Sequence, residues 1–396
     1  MAFRAYLRKG LALIAAFLLL GGAVSARAET PENGFLSDYD EALRILEDCD
    51  PFISVIREEN PRYDALCAEG RERVRSRCRS AAELAAILSD LFARLGNPGH
   101  LSVLDGEGYR QYALLAEQGA FGEGSPVYKL LRDGKTRAVY AELESGKAAP
   151  ADWSGRYVPY VTWDAERRLL YLRIPSFRHE LMQRDRDVLV DAFRAHPDAA
   201  HIVFDICGNG GGSDYYWAEL LVAPFGETEA YEKRIYFREN ELTRQYGYME
   251  DAVPVSALDE NELPDFVKAL GLTHMLSGTI TIEPAEESRT IRTDAKRWVL
   301  TDEYVFSAAD GFAGFCRQTG WATLVGRPTL GDGGSEAPLL IRLPNTGLLM
   351  RFTAAASANA EGRLNTFFGT EPDIPSKPSE RPFDTLLRII DAGAGG

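Results

Sequence analysis

The segment from Val299 to Gly333 constrains the fold of this 396-residue chain more than any other stretch. An apolar run stops at Thr301, and apolar residues at helical spacing follow Ser307. Gly320 ends the predicted helix, and a second apolar run begins at Ala322. The order strand, turn, helix, strand is typical of an α/β sheet, and it puts Ser307 at a helix N-terminus.

Two interpretations of Ser307 follow from this position. Ser307 can be a plain N-cap, with Asp310 three residues later completing a capping box. It can also be a nucleophile, because unpaired backbone N–H groups and the helix dipole stabilise negative charge that develops there. The segment taken alone favours the N-cap.

A second segment, HIVFDICGNGGGS from His201 to Ser213, predicts a strand that runs into three consecutive glycines and then a helix. Glycines let backbone N–H groups approach a substrate carbonyl without a Cβ in between. The amide of Gly210 or Gly211, together with that of Ala308, is therefore a candidate oxyanion hole. A phosphate-binding loop is disfavoured because the Gly-Lys-Ser/Thr ending of that motif is missing.

Together the two segments resemble the S41 peptidases, the family of the C-terminal processing proteases and the tricorn-like proteases. The family's Asp-Leu-Arg-Gly-Asn-Gly-Gly-Gly corresponds to DICGNGGG from Asp205 to Gly212, and its Ser-Ala-Ala-Glu corresponds to SAAD from Ser307 to Asp310. Four further family-like pieces occur in family order: YLRIPSF from Tyr171, LVGRPTLGDG from Leu324, LPNTGL from Leu343 and EPDI from Glu371.

The resemblance implies an α/β (α+β) core of the ClpP/crotonase-like spiral type and a serine endopeptidase with Ser307 as nucleophile. It also implies that His100 is the general base. His100 follows the breaker cluster Gly96-Asn97-Pro98-Gly99, a helix-to-strand position comparable to that of the tricorn-like histidine. Without the resemblance, a histidine after a turn is more commonly a solvated loop residue. We expect the Ser307 hydroxyl and a ring nitrogen of His100 to lie within hydrogen-bond reach.

The positions of the lysines in the sequence distinguish the two catalytic types of the family. C-terminal processing proteases use a lysine that follows the serine, and in this chain Asp332 occupies that position. Lys377 is the only lysine after Ser307. The sequence therefore excludes a Ser/Lys dyad of that type and favours the tricorn-like arrangement, with His179 as the reserve candidate for the base.

The third member of the predicted site is open. Tricorn-like enzymes orient the histidine through a polar network that includes a glutamate before the Pro-Asp-Ile run. Thr366 stands at that position here, with Glu361 and Glu371 nearby as substitutes or as ordinary surface charges. Cys207 replaces the usual arginine of the glycine signature, and its place in an apolar strand favours a core role over a nucleophilic one.

The N-terminus has the layout of a cleavable export signal, with basic residues before the apolar run Leu11–Leu20 and small residues ending at Ala28. An uncleaved anchor is the alternative, but the run is short for a spanning helix. We expect cleavage after Ala28 and a soluble periplasmic or extracellular protein. Because such compartments are oxidising, a disulfide among Cys49, Cys67 and Cys78 is expected, with its pairing open.

The remaining chain divides into three parts. Helical spacing predicts a helical N-terminal domain over 29–105, and a β-rich connecting segment is expected over 106–165. No PDZ module is expected in that segment, which is short and lacks a Gly-Leu-Gly-Phe loop. The S41-like core is expected over 166–390. It contains an insertion over 226–295 that is a lid, a substrate-binding flank or a passive surface excursion.

The formal net charge of −15 argues against nucleic acid as a partner. The expected partner is a peptide or protein substrate. No cofactor is expected and no metal site, since the histidines lack paired spacing. The alternative function is a catalytically weak S41-like protein that binds peptides or ligands, which the departures at Cys207, Asp332 and Thr366 favour. A crotonase-like acyl-thioester enzyme fits poorly with export, because acyl-CoA is cytoplasmic.

Overall fold

The computed structural model describes residues 31–145, 157–287 and 290–393. The predicted export signal lies outside these residues. In the described part of the chain, every helix is too short or too polar to cross a bilayer.

Strands and helices alternate through the C-terminal two thirds of the chain, whereas helices dominate the first third. The strands are β1 (Ser102–Val103), β2 (Tyr160–Asp164), β3 (Leu169–Arg173), β4 (His201–Asp205), β5 (Glu229–Phe237), β6 (Val253–Pro254), β7 (His274–Ile282), β8 (Lys296–Thr301), β9 (Thr323–Gly326), β10 (Leu339–Arg342), β11 (Leu349–Phe352), β12 (Ala355–Ser357) and β13 (Ile374–Pro375). The α-helices are α1 (Pro31–Cys49), α2 (Ile53–Glu59), α3 (Tyr63–Arg77), α4 (Ala81–Arg94), α5 (Gly106–Glu117), α6 (Pro126–Arg132), α7 (Gly134–Glu144), α8 (Met182–Ala195), α9 (Asp214–Trp217), α10 (Glu241–Gln245), α11 (Asp265–Ala269), α12 (Ala308–Thr319), α13 (Asn365–Phe368) and α14 (Pro382–Gly393).

A six-stranded sheet of order β13-β9-β8-β4-β3-β2 forms the C-terminal core. Its strands are parallel except for β2, which runs antiparallel to β3. β4 and β8 are almost continuously buried, as expected of parallel strands covered on both faces. Phe204 and Phe312 pack on one face, and Leu386 of α14 packs on the other. The α/β core predicted from the sequence is confirmed.

A second core holds the helices α1 to α4 against the three-stranded sheet β1-β11-β10. Phe52 and Phe92 from the helices pack with Leu349 and Met350 of β11 in this core. The helical N-terminal region is therefore present as predicted. Two of the strands that cover it come from beyond residue 338, so both ends of the chain build this core.

The expectation of a β-rich segment over 106–165 is wrong for its first part, which forms α5, α6 and α7. Each of these helices begins after a side chain that accepts a backbone hydrogen bond: Asp105, Ser125 and Asp133. These N-caps are the sequence signal for helices here, and Gly119 follows the end of α5 instead of separating two strands.

The insertion over 226–295 is part of the second core. Its strands β5 and β7 pair over nine residues each, and β12 and β6 complete a four-stranded antiparallel sheet. Ile235, Tyr236 and Phe237 are buried with the N-terminal helices. The Arg238 guanidinium donates a hydrogen bond to the Asp50 carbonyl oxygen at 2.7 Å. Of the three interpretations, a passive surface excursion is therefore excluded.

The five cysteines all lie in the described part of the chain, and all are free thiols. The disulfide expected among Cys49, Cys67 and Cys78 is therefore absent from this structure. Cys49 and Cys78 are instead buried in the helical core as small apolar side chains.

Two fully buried carboxylates in the helical region differ in their hydrogen bonds. The Asp38 carboxylate accepts hydrogen bonds from the backbone and side chains of both Asn345 and Thr346. Asp50 accepts one from the Phe52 amide, and among the described residues its second carboxylate oxygen has no hydrogen-bond partner. Burial raises the pKa of Asp50 to about 7, although Phe52 and Arg238 oppose the rise.

We predict that Asp50→Asn stabilises the protein above neutral pH. The folded state retains a proton that the unfolded chain releases between about pH 4 and 7, so the wild type loses stability as pH rises through that window. The substituted amide keeps an acceptor for the Phe52 N–H group without the buried charge. The free energy of unfolding, from urea denaturation, should exceed the wild-type value by a few kcal/mol at pH 8 and converge toward pH 4.

Asp38→Asn is the matched control, because its amide places N–H groups against existing donors and should destabilise the protein. A difference between Asp50→Asn and wild type that stays constant with pH would contradict the prediction.

Candidate active site

Ser307 lies between the end of β8 and the first residue of α12, in a left-handed backbone conformation with φ 56° and ψ −129°. Such sparsely populated conformations cost about 1–3 kcal/mol and concentrate at functional sites. The Ser307 side chain makes no capping hydrogen bond to the helix. The capping-box interpretation of Ser307 and Asp310 is therefore wrong.

Three loops meet around Ser307, each following the carboxyl end of a parallel strand. They are the glycine loop (206–213) after β4, the serine loop (302–307) after β8 and the aspartate loop (327–333) after β9. The Ser307 amide donates to the Gly331 carbonyl at 2.9 Å, and the Phe306 amide donates to the Asn209 carbonyl at 3.0 Å. This edge of a parallel sheet is where ligands bind in α/β proteins.

His100 approaches the serine loop from the helical core. After α4, the single 3₁₀ turn Pro98–His100 carries the chain into β1. Gly99 has φ 58°, and a Cβ there would lie 2.6 Å from the Phe52 ring, so only glycine fits. The Thr353 amide donates to the Gly99 carbonyl at 2.6 Å and ties this turn to the end of β11.

The predicted contact between the histidine and the serine is present. His100 Nε2 and Ser307 Oγ are 2.9 Å apart, and the two residues are 207 positions apart in the chain. The imidazole packs on the Phe306 ring, with ring centroids 4.7 Å apart, and its side chain is 9% exposed. The ring is therefore held in place on one side by packing and on the other by hydrogen bonds.

Asp332 is the acidic group that contacts the histidine, through its Oδ2 and His100 Nδ1. The Asp332 side chain is fully buried, and it also accepts hydrogen bonds from Thr353 Oγ1 at 3.2 Å and Thr366 Oγ1 at 3.1 Å. Ser307, His100 and Asp332 thus form a continuous chain of polar contacts. This is the order of groups that activates a serine hydroxyl for nucleophilic attack.

The sequence alone indicates Asp332 only as the residue that stands in place of a lysine. The available signal was its Gly-Asp-Gly turn just past the strand that follows the serine helix. Using that signal required the strand order, because β9 lies directly beside β8 in the sheet.

Of the three other residues predicted near the histidine, one contacts the site and two do not. Thr366 joins the site as a donor to Asp332. Glu361 pairs with Arg317 at 3.2 Å and Glu371 pairs with Arg363 at 2.6 Å, so the interpretation of either glutamate as the orienting acid is wrong. Both are partly exposed surface ion pairs, which satisfy their carboxylates away from the histidine.

The reserve base, His179, lies on the 3₁₀ turn His179–Leu181, with its ring 6.3 Å from the Tyr215 ring, centroid to centroid. Ser307 Oγ is instead within hydrogen-bond distance of His100 Nε2. The structure therefore brings His100, and not His179, to the nucleophile candidate.

The glycine loop packs directly against Ser307. A Cβ on Gly211, which has φ 91°, would lie 2.7 Å from the Phe306 carbonyl oxygen and 2.9 Å from Ser307 Cβ. The Gly211 amide donates to Asn209 Oδ1 at 2.8 Å, so the assignment of Gly211 as an oxyanion donor is wrong. Among the residues that the structure describes, the amides of Gly210 and Ala308 have no acceptor.

Asp310, one helical turn after Ser307, links the loops of the site. Its fully buried carboxylate accepts hydrogen bonds from Thr329 Oγ1, Thr370 Oγ1, Asn365 Nδ2 and the Gly333 amide, at 2.5 to 3.0 Å. Burial raises the pKa of Asp310, and these donors oppose the rise. Asp310 therefore joins α12 to the aspartate loop and to the segment 365–370 that carries Thr366.

Cys207 is not an activated thiol. Burial raises its pKa well above the usual range, and the Asp205 carboxylate adds to the rise. The thiol is therefore protonated at neutral pH and a poor nucleophile. Within the described residues, groups of three or more histidine, cysteine or acidic side chains placed to hold a metal ion are absent.

Comparisons with known proteins identify the family of the chain. The family model described as Peptidase family S41 matches residues 168–376, more than half of the chain. A comparison with curated proteins finds no match.

Solved structures share the fold. Mature CPAF is 13% identical with a TM-score of 0.52, over 91% of this chain and 96% of that one. A lipoprotein from Streptococcus agalactiae is 12% identical with a TM-score of 0.50, over 96% of this chain and 100% of that one. Identities this low show a common fold alone, whereas the family model identifies the sequence. The chain therefore belongs to peptidase family S41 and is a peptidase.

Proposed function

We propose that this peptidase is a serine endopeptidase in which Ser307 is the nucleophile, His100 the general base and Asp332 the acid that orients the base. The observation that carries the proposal is the unbroken series of contacts from Ser307 Oγ through the His100 ring to the Asp332 carboxylate. The tricorn-like interpretation with a histidine base is retained, and its third member becomes Asp332.

The proposed mechanism uses the imidazole with its proton on Nδ1, directed at the Asp332 carboxylate. Nε2 then accepts the proton of the Ser307 hydroxyl. Attack of Ser307 Oγ on the scissile carbonyl forms a tetrahedral intermediate as the proton moves to Nε2. The imidazolium, stabilised by Asp332, then protonates the leaving amine, and an acyl-enzyme remains for water to hydrolyse through the same base.

The amides of Gly210 and Ala308 are proposed to hold the oxyanion. Both are unpartnered among the described residues, and Ala308 is the first residue of α12, where the helix dipole favours negative charge. Gly211 supports this arrangement sterically, since its missing side chain lets the glycine loop approach Ser307.

The binding-protein alternative loses much of its basis. Two of the three departures that favoured it, Asp332 and Thr366, form one hydrogen-bonded pair that faces the histidine. Thr353 and Thr366 occupy lone pairs of the Asp332 carboxylate that would otherwise be unsatisfied in a buried site. The departures therefore support a working acid in a new position.

We also propose export to the periplasm or the extracellular space. The basis is the sequence pattern of residues 1–28, with its basic start, apolar run and small residues before Ala28. Mass spectrometry of the mature N-terminus tests this proposal, which is wrong if residue 1 or 2 begins the mature chain.

We predict that Ser307→Ala, His100→Ala and Asp332→Asn each lower kcat/KM on unfolded protein substrates by roughly 10³- to 10⁴-fold or more. Asp332→Asn should lower activity by favouring the wrong tautomer of the His100 imidazole. We expect this variant to fold like the wild type, because asparagine has nearly the same size as aspartate. A fluorophosphonate probe should label the wild type and not Ser307→Ala.

Glu361→Gln is the matched control, because Glu361 contacts Arg317 and not the histidine. Hydrolysis at the wild-type rate by Ser307→Ala would eliminate the proposed mechanism. Wild-type activity of Asp332→Asn alongside a loss in Glu361→Gln would reassign the acid.

We predict that Gly211→Ala strongly reduces kcat while the protein remains folded. The added methyl group would press on the Phe306 carbonyl and Ser307 Cβ, and alanine disfavours φ 91°. Gly134→Ala is the control, because no atom lies within 4 Å of its Cβ position. Steady-state kinetics with circular dichroism distinguishes the two, and equal rates for both variants would refute the close packing of the glycine loop on Ser307.

A further inference from the structure

Phe52, in the turn between α1 and α2, contacts the turn that carries His100, here called the histidine turn (Pro98–His100). The Phe52 side chain is fully buried. A Cβ on Gly99 would lie 2.6 Å from Phe52 Cε2 and 2.8 Å from Phe52 Cδ2, so the edge of the ring lies against the Gly99 backbone. The same Cβ would lie 3.5 Å from Thr353 Cβ, so Phe52 and Thr353 meet at Gly99.

The Phe52 ring also contacts the segment 365–370. It packs edge-to-face on the Phe367 ring, with ring centroids 5.9 Å apart and an interplanar angle of 77°. Phe367 directly follows Thr366, whose hydroxyl donates to the Asp332 carboxylate at 3.1 Å. His100 Nδ1 contacts the same carboxylate. A single ring therefore touches both segments from which side chains reach Asp332.

Polar contacts outside the site fix the backbone of Phe52. The Phe52 amide donates to Asp50 Oδ1 at 2.8 Å, and Asp50 is fully buried. The Arg238 guanidinium, directly after β5, donates to the Asp50 carbonyl oxygen at 2.7 Å. The N-terminal helices and the insertion over 226–295 therefore set the position of the ring. The loops around Ser307 do not.

The histidine turn needs such a support. His100 has φ 60°, in a region that non-glycine residues seldom occupy, so surrounding contacts must hold it there. Removing the Phe52 ring would leave a cavity beside Gly99 into which the turn can relax. A displacement of about 1 Å, caused by a change away from the reacting atoms, can lower a catalytic rate about 100-fold.

We propose that Phe52 is a positioning residue for catalysis. It holds the histidine turn and the segment 365–370 at the separation at which His100 and Thr366 both reach Asp332. The proposal rests on the proposed function of Ser307, His100 and Asp332. Phe52 acts through its contacts with Gly99 and Phe367, and its ring takes no part in proton transfer.

The test compares Phe52→Leu with the matched control Phe193→Leu. Phe193 is buried in the other core, where its ring packs edge-to-face on Phe204 and Phe225. Both variants remove a buried ring, so both should lower the midpoint of urea denaturation. Phe52→Leu should also lower kcat on unfolded protein substrates about 10- to 100-fold with KM within about twofold of wild type. Phe193→Leu should keep the wild-type kcat and KM.

A double-mutant cycle with Phe367→Leu tests the contact between the two rings. Because the rings form one support, the fall in kcat for the combined variant should be smaller than the product of the two single effects. Single effects that multiply would overturn the proposal. If Phe52→Leu does not fold, Phe52→Met takes its place, since a methionine side chain fills irregular gaps in a core.

An NMR experiment separates this proposal from the mechanism. A proton on His100 Nδ1 that faces the Asp332 carboxylate gives a strongly deshielded resonance. This resonance should move upfield in Phe52→Leu and stay unchanged in Phe193→Leu. If the wild type hydrolyses no substrate and the fluorophosphonate probe does not label it, the proposed function fails, and the resonance still decides the role of Phe52. Either an unchanged resonance in Phe52→Leu or a kcat equal to that of Phe193→Leu would overturn the proposal.

Discussion

The hydrogen bond between His100 and Ser307 joins the two cores of the protein, and the geometry of the candidate site depends on it. The serine is held by the parallel sheet, and the histidine by the turn after the helices of the second core. Neither core contains the reactive pair alone. Thr353 strengthens the junction, since its amide bonds to Gly99 of the histidine turn while its hydroxyl bonds to Asp332 of the aspartate loop. The packing of the two cores therefore sets the geometry of the reacting atoms.

Backbone conformation carries part of the same geometry. His100, Ser307 and Asp332 all have φ between 56° and 66°, a region that non-glycine residues seldom occupy. Each such residue costs about 1–3 kcal/mol, so the surrounding contacts must hold it. The carboxylate of Asp310, on α12, supplies several of these contacts. It accepts hydrogen bonds from the aspartate loop and from the segment 365–370. These contacts fix the loops around Ser307 without a substrate, and the proposed stabilisation of a transition state requires such preorganisation.

The proposed acid, Asp332, lies where the resemblance to the family predicts a different residue. The residue that takes the position of the family's lysine is an aspartate, and the residue in place of the tricorn-like glutamate is Thr366, which now donates to that aspartate. A carboxylate on the aspartate loop can reach His100 because β9 adjoins β8.

Local patterns in the sequence determined the α/β core, the serine at a helix start and the glycine loop, because periodicity and glycine runs act over a few residues. The resemblance to the family added His100 as the candidate general base. The sequence does not identify Asp332 as the acid, and it leaves Glu361 and Glu371 open as candidates that the structure pairs with arginines instead. It also predicts β structure where helices α5 to α7 form. The side-chain differences have one physical reason: which loops meet depends on the order of the strands and on how the two cores pack, and that packing joins residues as far apart in the chain as His100 and Asp332. Only the tertiary structure decided that Asp332, and no glutamate, faces the histidine.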